Sequence, residues 1–227
     1  MKVTAVIVAG GKGTRMGAGK NKVFLKMMNK EILCYTISAF ENNKNTDSIV
    51  VVTAKDDIKE CERLVNEYCF NKVIKITEGG ETRQESVIKG LRECSGDIVL
   101  IHDGARALVT DNEINSVISD CIKYGAAAAG VKCKDTLKIS LDGFIEETLD
   151  REKIYQIQTP QAFYRDDILS LHEKACIEGF SATDDCMIAE HYGVKIKISG
   201  GSYDNIKITT PDDMIIGEKI LKTRSVD

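Results

Sequence analysis

An apolar run that ends in glycines occupies residues 3–16, VTAVIVAGGKGTRM. The part from Val3 to Ala9 is continuous and rich in β-branched residues, which is typical of a strand buried on both faces of a parallel sheet. Residues 49–53 (IVVVT), 72–76 (KVIKI) and 97–102 (DIVLIH) repeat the pattern. These runs therefore predict a buried, mostly parallel sheet.

Helical periodicity separates the apolar runs. In residues 31–40 the apolar side chains fall on one face, and Thr110-Asp-Asn-Glu113 is a capping box that opens a helix toward Tyr124. The alternation predicts an α/β fold, a Rossmann-like sheet with helices on both faces, in one domain over residues 1–227. Further along we expect a strand at 126–131, helices at 166–177 and 184–192, strands at 194–199 and 205–208, and a last helix capped by Thr210 before Pro211.

Residues 134–150, KDTLKISLDGFIEETLD, depart from this alternation. Two short strand-like runs flank Asp142-Gly143, a dipeptide that favours a β-hairpin turn. An isolated two-stranded hairpin is only marginally stable in water, so this arm needs a surface to pack against. Two arrangements stay open: the arm folds onto its own domain, or it protrudes and clasps a second subunit.

Composition narrows the class of protein. The net charge is -4, with 43% hydrophobic and 29% charged residues, so no global attraction to nucleic acid or to anionic membranes is expected. No apolar stretch approaches the ~18 residues of a membrane span, and the first residues do not resemble a signal peptide. Eight cysteines without a C-x-x-C pair indicate reduced thiols, and three histidines make a zinc site improbable. We expect a cytoplasmic protein.

The glycine-rich loop after the first strand carries the first chemical signal. Its glycines allow backbone N–H groups to approach a phosphate. A P-loop is excluded because Asn21 follows Gly19-Lys20, and a dinucleotide fingerprint starting at Gly11 fails at Met16. A tight structural turn is the alternative, but it does not explain why four basic residues crowd one loop of an acidic protein: Lys12, Arg15, Lys20 and Lys22. We therefore predict that the loop binds nucleotide phosphates.

Three further segments point to the same edge of the sheet. His102-Asp-Gly-Ala-Arg106 ends the fourth apolar run, where Asp103 is placed to hold Mg²⁺ and Arg106 to meet an anion. The alternative is a turn capped by Asp103 with Arg106 as its ion partner, and His102 is interpreted as structural. Residues 79–86 (GGETRQES) form a second glycine turn that opens a helix, and 204–207 (DNIK) precede the last helix. Taken singly, each of these two could be a solvated loop.

The ordered set of motifs is more specific than any one of them. AGGKGTRM, GGETRQES, HDGAR, KDTLK, TLDR, QTPQ, ATDD and DNIKITTPDD follow one another over nearly the whole chain. In this order they resemble the 2-C-methyl-D-erythritol 4-phosphate cytidylyltransferases of the non-mevalonate isoprenoid pathway. Two positions depart from the family pattern: Asn21 and Ala107 stand where proline is usual. Both are expected to loosen a loop without removing a charge.

The resemblance implies a single nucleotidyltransferase domain that transfers CMP from CTP to a small polyol phosphate and releases pyrophosphate. A phosphomonoester is mostly dianionic at neutral pH, because its second pKa is about 6, and so needs no general base to attack. By resemblance, the residues that grip the triphosphate and act in catalysis are Arg15, Lys22 and Lys207. Those that bind the nucleotide are Ala9, Gly10, Gly11, Gly13, Gly80, Glu81, Arg83 and Ser86.

The polyol-phosphate site implied by the resemblance comprises Asp103, Arg106, Thr136, Arg151 and Thr183. Asp103 coordinates Mg²⁺, the expected cofactor, or orients a substrate hydroxyl. In the family the arm, here about residues 134–151, crosses to a second subunit, which favours a homodimer. Three alternatives are weighed against this function: a ribitol-5-phosphate cytidylyltransferase, a non-catalytic CTP sensor, and a nicotinamide-dependent oxidoreductase, which the failed fingerprint disfavours.

Overall fold

The computed structural model describes residues 1–11 and 21–224, so the predictions for Lys12, Gly13, Arg15 and Lys20 lie outside the described residues. Within these ranges eleven strands occur: β1 Val3–Val8, β2 Lys26–Met27, β3 Lys30–Glu31, β4 Ser48–Thr53, β5 Val73–Glu78, β6 Ile98–Asp103, β7 Ala126–Lys132, β8 Lys138–Leu141, β9 Phe144–Thr148, β10 Tyr155–Tyr164 and β11 Lys197–Gly200. The seven described α-helices are α1 Ile32–Asn42, α2 Ile58–Glu67, α3 Arg83–Arg92, α4 Asp111–Tyr124, α5 Arg165–Glu178, α6 Asp185–His191 and α7 Pro211–Arg224.

Seven strands form the central sheet in the order β11-β7-β10-β6-β1-β4-β5. β1 pairs in parallel with β4 and β6, and β4 with β5, as the apolar runs predicted. The exception is β10, which lies antiparallel between β6 and β7. The mostly parallel α/β sheet is therefore confirmed, with one reversed strand near its middle.

Helices cover both faces of the sheet, as predicted. Ala5 and Ile7 of β1 point into a core shared with α1, α2 and α4, whereas Val6 points into a core shared with α3, α5 and α6. Because successive strand residues face opposite sides, an apolar residue at every position is what a doubly covered strand requires. A third, smaller cluster packs α7 against Met27, Ile32 and Ile208.

The local helix signals are also confirmed. The Thr110 hydroxyl and the Glu113 side chain form the capping box of α4, each accepting from the other's backbone N–H. The Thr210 hydroxyl accepts from the backbone N–H of Asp213 at 3.3 Å, and Pro211 is the first residue of α7. Among the described helices none is long and apolar enough to cross a lipid bilayer.

The structure differs from the sequence analysis at two strands: one strand was not predicted, and one predicted strand does not form. β10 was not predicted, because Pro160 lies inside it and proline lacks the N–H that a central strand needs. The pairing of β10 with β7 is irregular around this proline, between Ile157 and Gln161. Residues 205–208 do not form a strand: the Asn205 side chain donates to the carbonyl oxygen of Thr159 at 3.0 Å, and Ile208 N–H to Ala105 O at 2.9 Å, outside any ladder.

The arm is a β-hairpin, as the Asp-Gly pair predicted. β8 and β9 pair antiparallel across a turn in which Asp142 and Gly143 both have positive φ, 50° and 86°, which suits a tight two-residue loop. Every residue of both strands is exposed. The two strands therefore do not pack onto their own domain in the described chain, and the clasp of a second subunit stays a prediction.

Candidate active site

Two adjoining chambers open at the carboxyl edge of the parallel strands. The large chamber has a volume of about 980 Å³, and its walls include Ala9, Gly10, Gly11, Lys22, Gly80, Glu81, Ser86 and Lys89. The small chamber has a volume of about 170 Å³, and its walls include Arg106, Gln158, Thr159, Gln161, Thr183 and Asp184. Ligands of open α/β sheets bind at this edge, so the predicted nucleotide residues of the described ranges and three of the predicted substrate residues, Asp103, Arg106 and Thr183, come together where the topology requires.

Arg83, Asp103 and Lys207 line both chambers, and we call these three residues the shared wall. Lys207 Nζ lies 2.7 Å from Oδ2 of Asp103, and Nε of Arg83 lies 3.5 Å from Oδ1. Burial alone would raise the pKa of the Asp103 carboxyl, but the charges of Lys207 and Arg83 outweigh it and hold this pKa well below its ordinary value. Asp103 is therefore a carboxylate at neutral pH, with a cation on each oxygen.

The second glycine turn shapes the large chamber next to Arg83. Ser86 Oγ accepts from the N–H of Gly80 at 3.0 Å and donates to the carbonyl oxygen of Thr82 at 2.9 Å. A Cβ on Gly80 would come within 2.2 Å of the Glu85 Cβ, so only glycine fits this turn. The backbone of Gly79 and Gly80 therefore forms this part of the wall of the large chamber.

The contacts of Asn21 contradict the expectation that this residue loosens the loop ahead of Lys22. Its side chain is buried, and Nδ2 donates to the carbonyl oxygen of Ala9 at 2.7 Å and to Oδ2 of Asp57 at 2.9 Å. It also caps the short 3₁₀ turn that begins at Lys22. The other departure, Ala107, is buried among the apolar residues that face α7. Both positions are therefore held by contacts of their own.

Arg106 is anchored in the small chamber from one side. Its Nη1 donates to the carbonyl oxygen of Asn205 at 2.6 Å. Burial lowers the pKa of the guanidinium, against the raising effect of Asp103 and Glu113, and Nε is buried without a hydrogen-bond partner. Arg106 lines the small chamber, and its positive charge there suits an anionic ligand.

The arm residues lie apart from both chambers. Thr136 and Arg151 are exposed and line neither chamber within the described chain. Nη1 of Arg151 is 3.5 Å from the carbonyl oxygen of Lys134, a long contact within the arm itself. The structure thus brings the remaining predicted residues of the described ranges together and leaves these two outside.

Several polar residues of the site were not predicted. Lys89, two turns into α3, lines the large chamber and donates to the carbonyl oxygen of Gly79 at 2.7 Å. Gln161 joins two elements, because Nε2 donates to Oδ2 of Asp184 at 2.9 Å and Oε1 accepts from the Cys186 N–H. The QTPQ and ATDD motifs contain the signal for these contacts, but a motif does not say which other motif it touches.

A magnesium ion fits the site only with help from a ligand. Among the described residues no group of three or more His, Cys, Asp or Glu side chains could hold a metal. Asp103 offers one carboxylate, and its two oxygens face Lys207 and Arg83. Mg²⁺ is commonly bound by one or two carboxylates plus water and substrate phosphates, so Asp103 would hold the ion together with oxygens of a bound phosphate ligand.

The sheet, the glycine turns at its carboxyl edge and the cation-rich chambers define a nucleotide-binding α/β protein. Its family follows from comparison with known proteins. The family model described as 2-C-methyl-D-erythritol 4-phosphate cytidylyltransferase matches residues 3–223, and the chain belongs to this family.

Relatives and solved structures agree with this assignment. The chain is 48% identical to the 2-C-methyl-D-erythritol 4-phosphate cytidylyltransferase of Clostridium novyi over 224 residues, 97% of each chain, and 48% identical to that of Clostridium acetobutylicum over 98% of each. The structure of 4-diphosphocytidyl-2C-methyl-D-erythritol synthase from Anaerococcus prevotii superposes with a TM-score of 0.87 at 31% identity, covering 97% of this chain and 96% of that one. The Thermus thermophilus cytidylyltransferase gives 0.81 at 26% identity, covering 98% and 100%.

Proposed function

We propose that this protein transfers CMP from CTP to 2-C-methyl-D-erythritol 4-phosphate and releases pyrophosphate, a step of isoprenoid precursor biosynthesis by the non-mevalonate route. The observation that carries the proposal is the shared wall. Two chambers that differ in size meet at Arg83, Asp103 and Lys207, so two anionic substrates can approach each other across paired cations. Family membership supplies the identity of the two substrates.

The reaction needs positioning and charge neutralisation more than proton transfer. An oxygen of the polyol phosphate attacks the α-phosphorus of CTP, the new O–P bond forms, and the bond from the α-phosphorus to the bridging oxygen breaks as pyrophosphate leaves. The attacking phosphate is a dianion at neutral pH, so no base is required. Charge that builds up on the α-phosphate is stabilised by preorganised cations.

We assign the catalytic cations to Lys22, Lys207 and Arg15. Lys22 borders the large chamber and Lys207 the shared wall, whereas Arg15 is assigned on the family resemblance alone. Gly10 and the Gly80 turn frame the cytidine, with Glu81, Arg83 and Ser86 beside them. In the small chamber Arg106 and Thr183 are placed to bind the polyol phosphate.

Magnesium is the proposed cofactor, with Asp103 as the protein ligand. When bound, the ion would neutralise phosphate charge. Lys207, which contacts Asp103, would contribute its own positive charge beside the α-phosphate. The eight cysteines are free thiols, and six of them are buried, which supports the proposed reducing cytoplasmic location.

The direct test of the function is a pyrophosphate-release screen of purified protein. CTP, UTP, ATP and GTP are each paired with methylerythritol phosphate and with ribitol 5-phosphate, with Mg²⁺ present and then chelated. We expect release only with CTP, methylerythritol phosphate and Mg²⁺ together. Preference for ribitol 5-phosphate would assign the other cytidylyltransferase class. CTP binding without any release would identify a sensor.

We further propose that the arm joins two copies of this chain. Its exposed strands carry Ile139, Leu141, Phe144 and Ile145, and the Phe144 side chain is 78% exposed, more apolar surface than a lone hairpin stably presents to water. A second copy offers the same surface in return, as a two-fold symmetric contact requires. Phe144→Asp is expected to convert a dimer to a monomer in light scattering. Ile177→Asp, at an equally exposed isoleucine on α5, is the matched control and should leave the mass unchanged.

The same dimer is expected to share its active sites. We propose that Thr136 and Arg151 reach the small chamber of the partner, where the fork of Arg151 binds phosphate bidentately. Arg151→Ala should raise KM for the polyol phosphate and leave CTP affinity near normal, whereas Lys153→Ala on the same turn serves as the control.

Mixing Arg151→Ala with Lys22→Ala subunits tests the sharing, at a polyol-phosphate concentration so low that each variant alone is nearly inactive. Each heterodimer would contain one site without either lesion, so activity should return after subunit exchange. If exchange is verified and the mixture stays inactive, the arm serves its own chain.

A further inference from the structure

A buried carboxylate stands directly behind the shared wall, and the reaction derived above does not use it. Asp185, the first residue of α6, has no exposed surface, and neither chamber is lined by it. Its Oδ2 accepts from Nη2 of Arg83 at 2.7 Å, a contact that spans 102 residues of sequence. The other oxygen, Oδ1, lies 3.1 Å from Nε2 of His172, which is also buried, on α5.

Four charged side chains thus form a continuous line of alternating charge, and the His172 ring lies beside its buried end. Lys207 contacts Asp103, Asp103 contacts Arg83, and Arg83 contacts Asp185. The first three face the chambers, whereas Asp185 and His172 lie between α3, α5 and α6. Arg83 lines the chambers and also contacts the buried Asp185, so it connects the two sets of residues.

Burying the Asp185 carboxylate costs free energy, so we expect this carboxylate to serve the residue that it contacts, Arg83. Burial would raise the pKa of this carboxyl, but the neighbouring charge of Arg83 outweighs burial and lowers it. A buried ion pair adds little net stability compared with apolar packing, yet it fixes the direction of a long side chain. Helices α3 and α5 also have a separate ion pair, Arg92 with Glu173 at 2.8 Å, on the surface away from the chambers.

Without Asp185, Arg83 would have one carboxylate left within contact distance. That carboxylate is Asp103, and its closer partner at present is Lys207, at 2.7 Å against 3.5 Å for Arg83. A guanidinium freed from Asp185 would therefore move toward Asp103 and compete with Lys207. The geometry of both chambers would change, although no residue that contacts a substrate had been replaced.

We infer that Asp185 is a positioning residue for the proposed reaction, because it holds the Arg83 guanidinium in the shared wall from the buried side. This inference rests on the proposed function. Misplacing a group at the reacting centre by about 1 Å typically costs on the order of 10²-fold in rate. Asp185→Asn keeps the shape and removes the charge, and is expected to lower kcat/KM for CTP by about that factor.

The decisive experiment is a double-mutant cycle with Arg83→Gln. If Asp185 acts through Arg83, Asp185→Asn should cost about 100-fold in the wild-type background and less than about threefold when Arg83 is already glutamine. Glu173→Gln removes the surface ion pair between α3 and α5 and is the matched control, expected within about twofold of wild type. Each variant is checked for fold by near-UV circular dichroism and thermal midpoint. The cycle is read both as kcat/KM and as Kd for CTP by titration calorimetry.

Losses of equal size in both backgrounds would overturn the inference, because Asp185 would then act on the fold and not through Arg83. If Asp185→Asn does not fold, His172→Phe takes its place in the cycle, since it keeps a ring and removes the nitrogen that faces Oδ1. A loss that persists without Arg83 counts against the inference here too. Failure of the proposed function looks different: wild-type protein would release no pyrophosphate, and the Kd cycle would still decide whether Asp185 positions Arg83.

Discussion

His102 should make the fold around the active site sensitive to mild acid. The ring is fully buried and lies edge-on to Phe40, with 5.0 Å between centroids. Nε2 lies 3.1 Å from the carbonyl oxygen of Arg106, which only accepts, so Nε2 carries the proton. Nδ1 then accepts from the Thr159 hydroxyl, also at 3.1 Å. A second proton on Nδ1 would turn this acceptor into a donor and break the contact.

The magnitude follows from the pKa of His102. Burial, opposed by the hydrogen bond to Arg106, lowers this pKa from 6.5 to about 4. Between these values the unfolded chain binds a proton and the folded chain does not, so the free energy of unfolding falls as the pH decreases. From pH 7 to pH 5 the loss is about 2 kcal/mol. For a urea m-value of roughly 3 kcal/mol/M, this is a shift of about 0.7 M in the unfolding midpoint.

The assay is urea unfolding of ligand-free protein at pH 7 and pH 5. His102→Gln cannot titrate, so this variant should be less stable at pH 7 but should lack the 2 kcal/mol component of acid sensitivity. His191→Gln, at an exposed histidine, should keep it. An equal decrease in wild type and His102→Gln would refute the reasoning, because His102 would then not be held neutral in the folded state.

Three further substitutions test the site, with pyrophosphate release as the measurement. Lys22→Ala should lower kcat on the order of 10²–10³-fold and change KM for CTP less, because its ammonium meets charge that grows in the transition state; an unchanged kcat would remove Lys22 from catalysis. Asp103→Asn should fold normally and need more Mg²⁺, with excess Mg²⁺ recovering part of the rate, and an unfolded variant would favour the structural interpretation. Asn21→Ala should lower kcat about tenfold. Its thermal midpoint should fall by only ~2–4 °C, which corresponds to about 1 kcal/mol in the free energy of unfolding. A kcat equal to that of the wild type would contradict the anchoring role of Asn21.

The parallel part of the sheet could be predicted because its strands are buried on both faces. Residues such as Val6 and Ile7 alternate between two apolar cores, and that leaves an unbroken apolar run in the sequence. β10 leaves no such run. Its Gln158 and Gln161 are buried because each finds a polar partner far along the chain, Ser202 for one and Asp184 for the other. Such partners are set by tertiary structure, and local pattern does not reveal them.

The candidate site divides in the same way. The glycine turns and Asp103 could be placed at one edge because each follows a strand, and parallel strands end together. The partnership of Arg83 with Asp185 could not be predicted, since nothing in GGETRQES or ATDD indicates that their helices begin side by side. Asn21 was misjudged because proline and asparagine were compared as loop residues. The two hydrogen bonds donated by the Asn21 side chain restrict the backbone at this position, as the ring of a proline would.

The reversed strand β10 also decides where the arm is rooted. β7 runs parallel to β6 and ends at Lys132, while β10 runs the opposite way and starts at Tyr155, directly opposite Lys132 in the pairing. The chain therefore leaves the sheet and returns to it at the same edge, which is the carboxyl edge where Asp103 lies and the two chambers open. The arm is therefore rooted at the edge where the chambers open. If a second copy binds the arm near its root, as proposed above, that copy lies close to the mouth of the chambers.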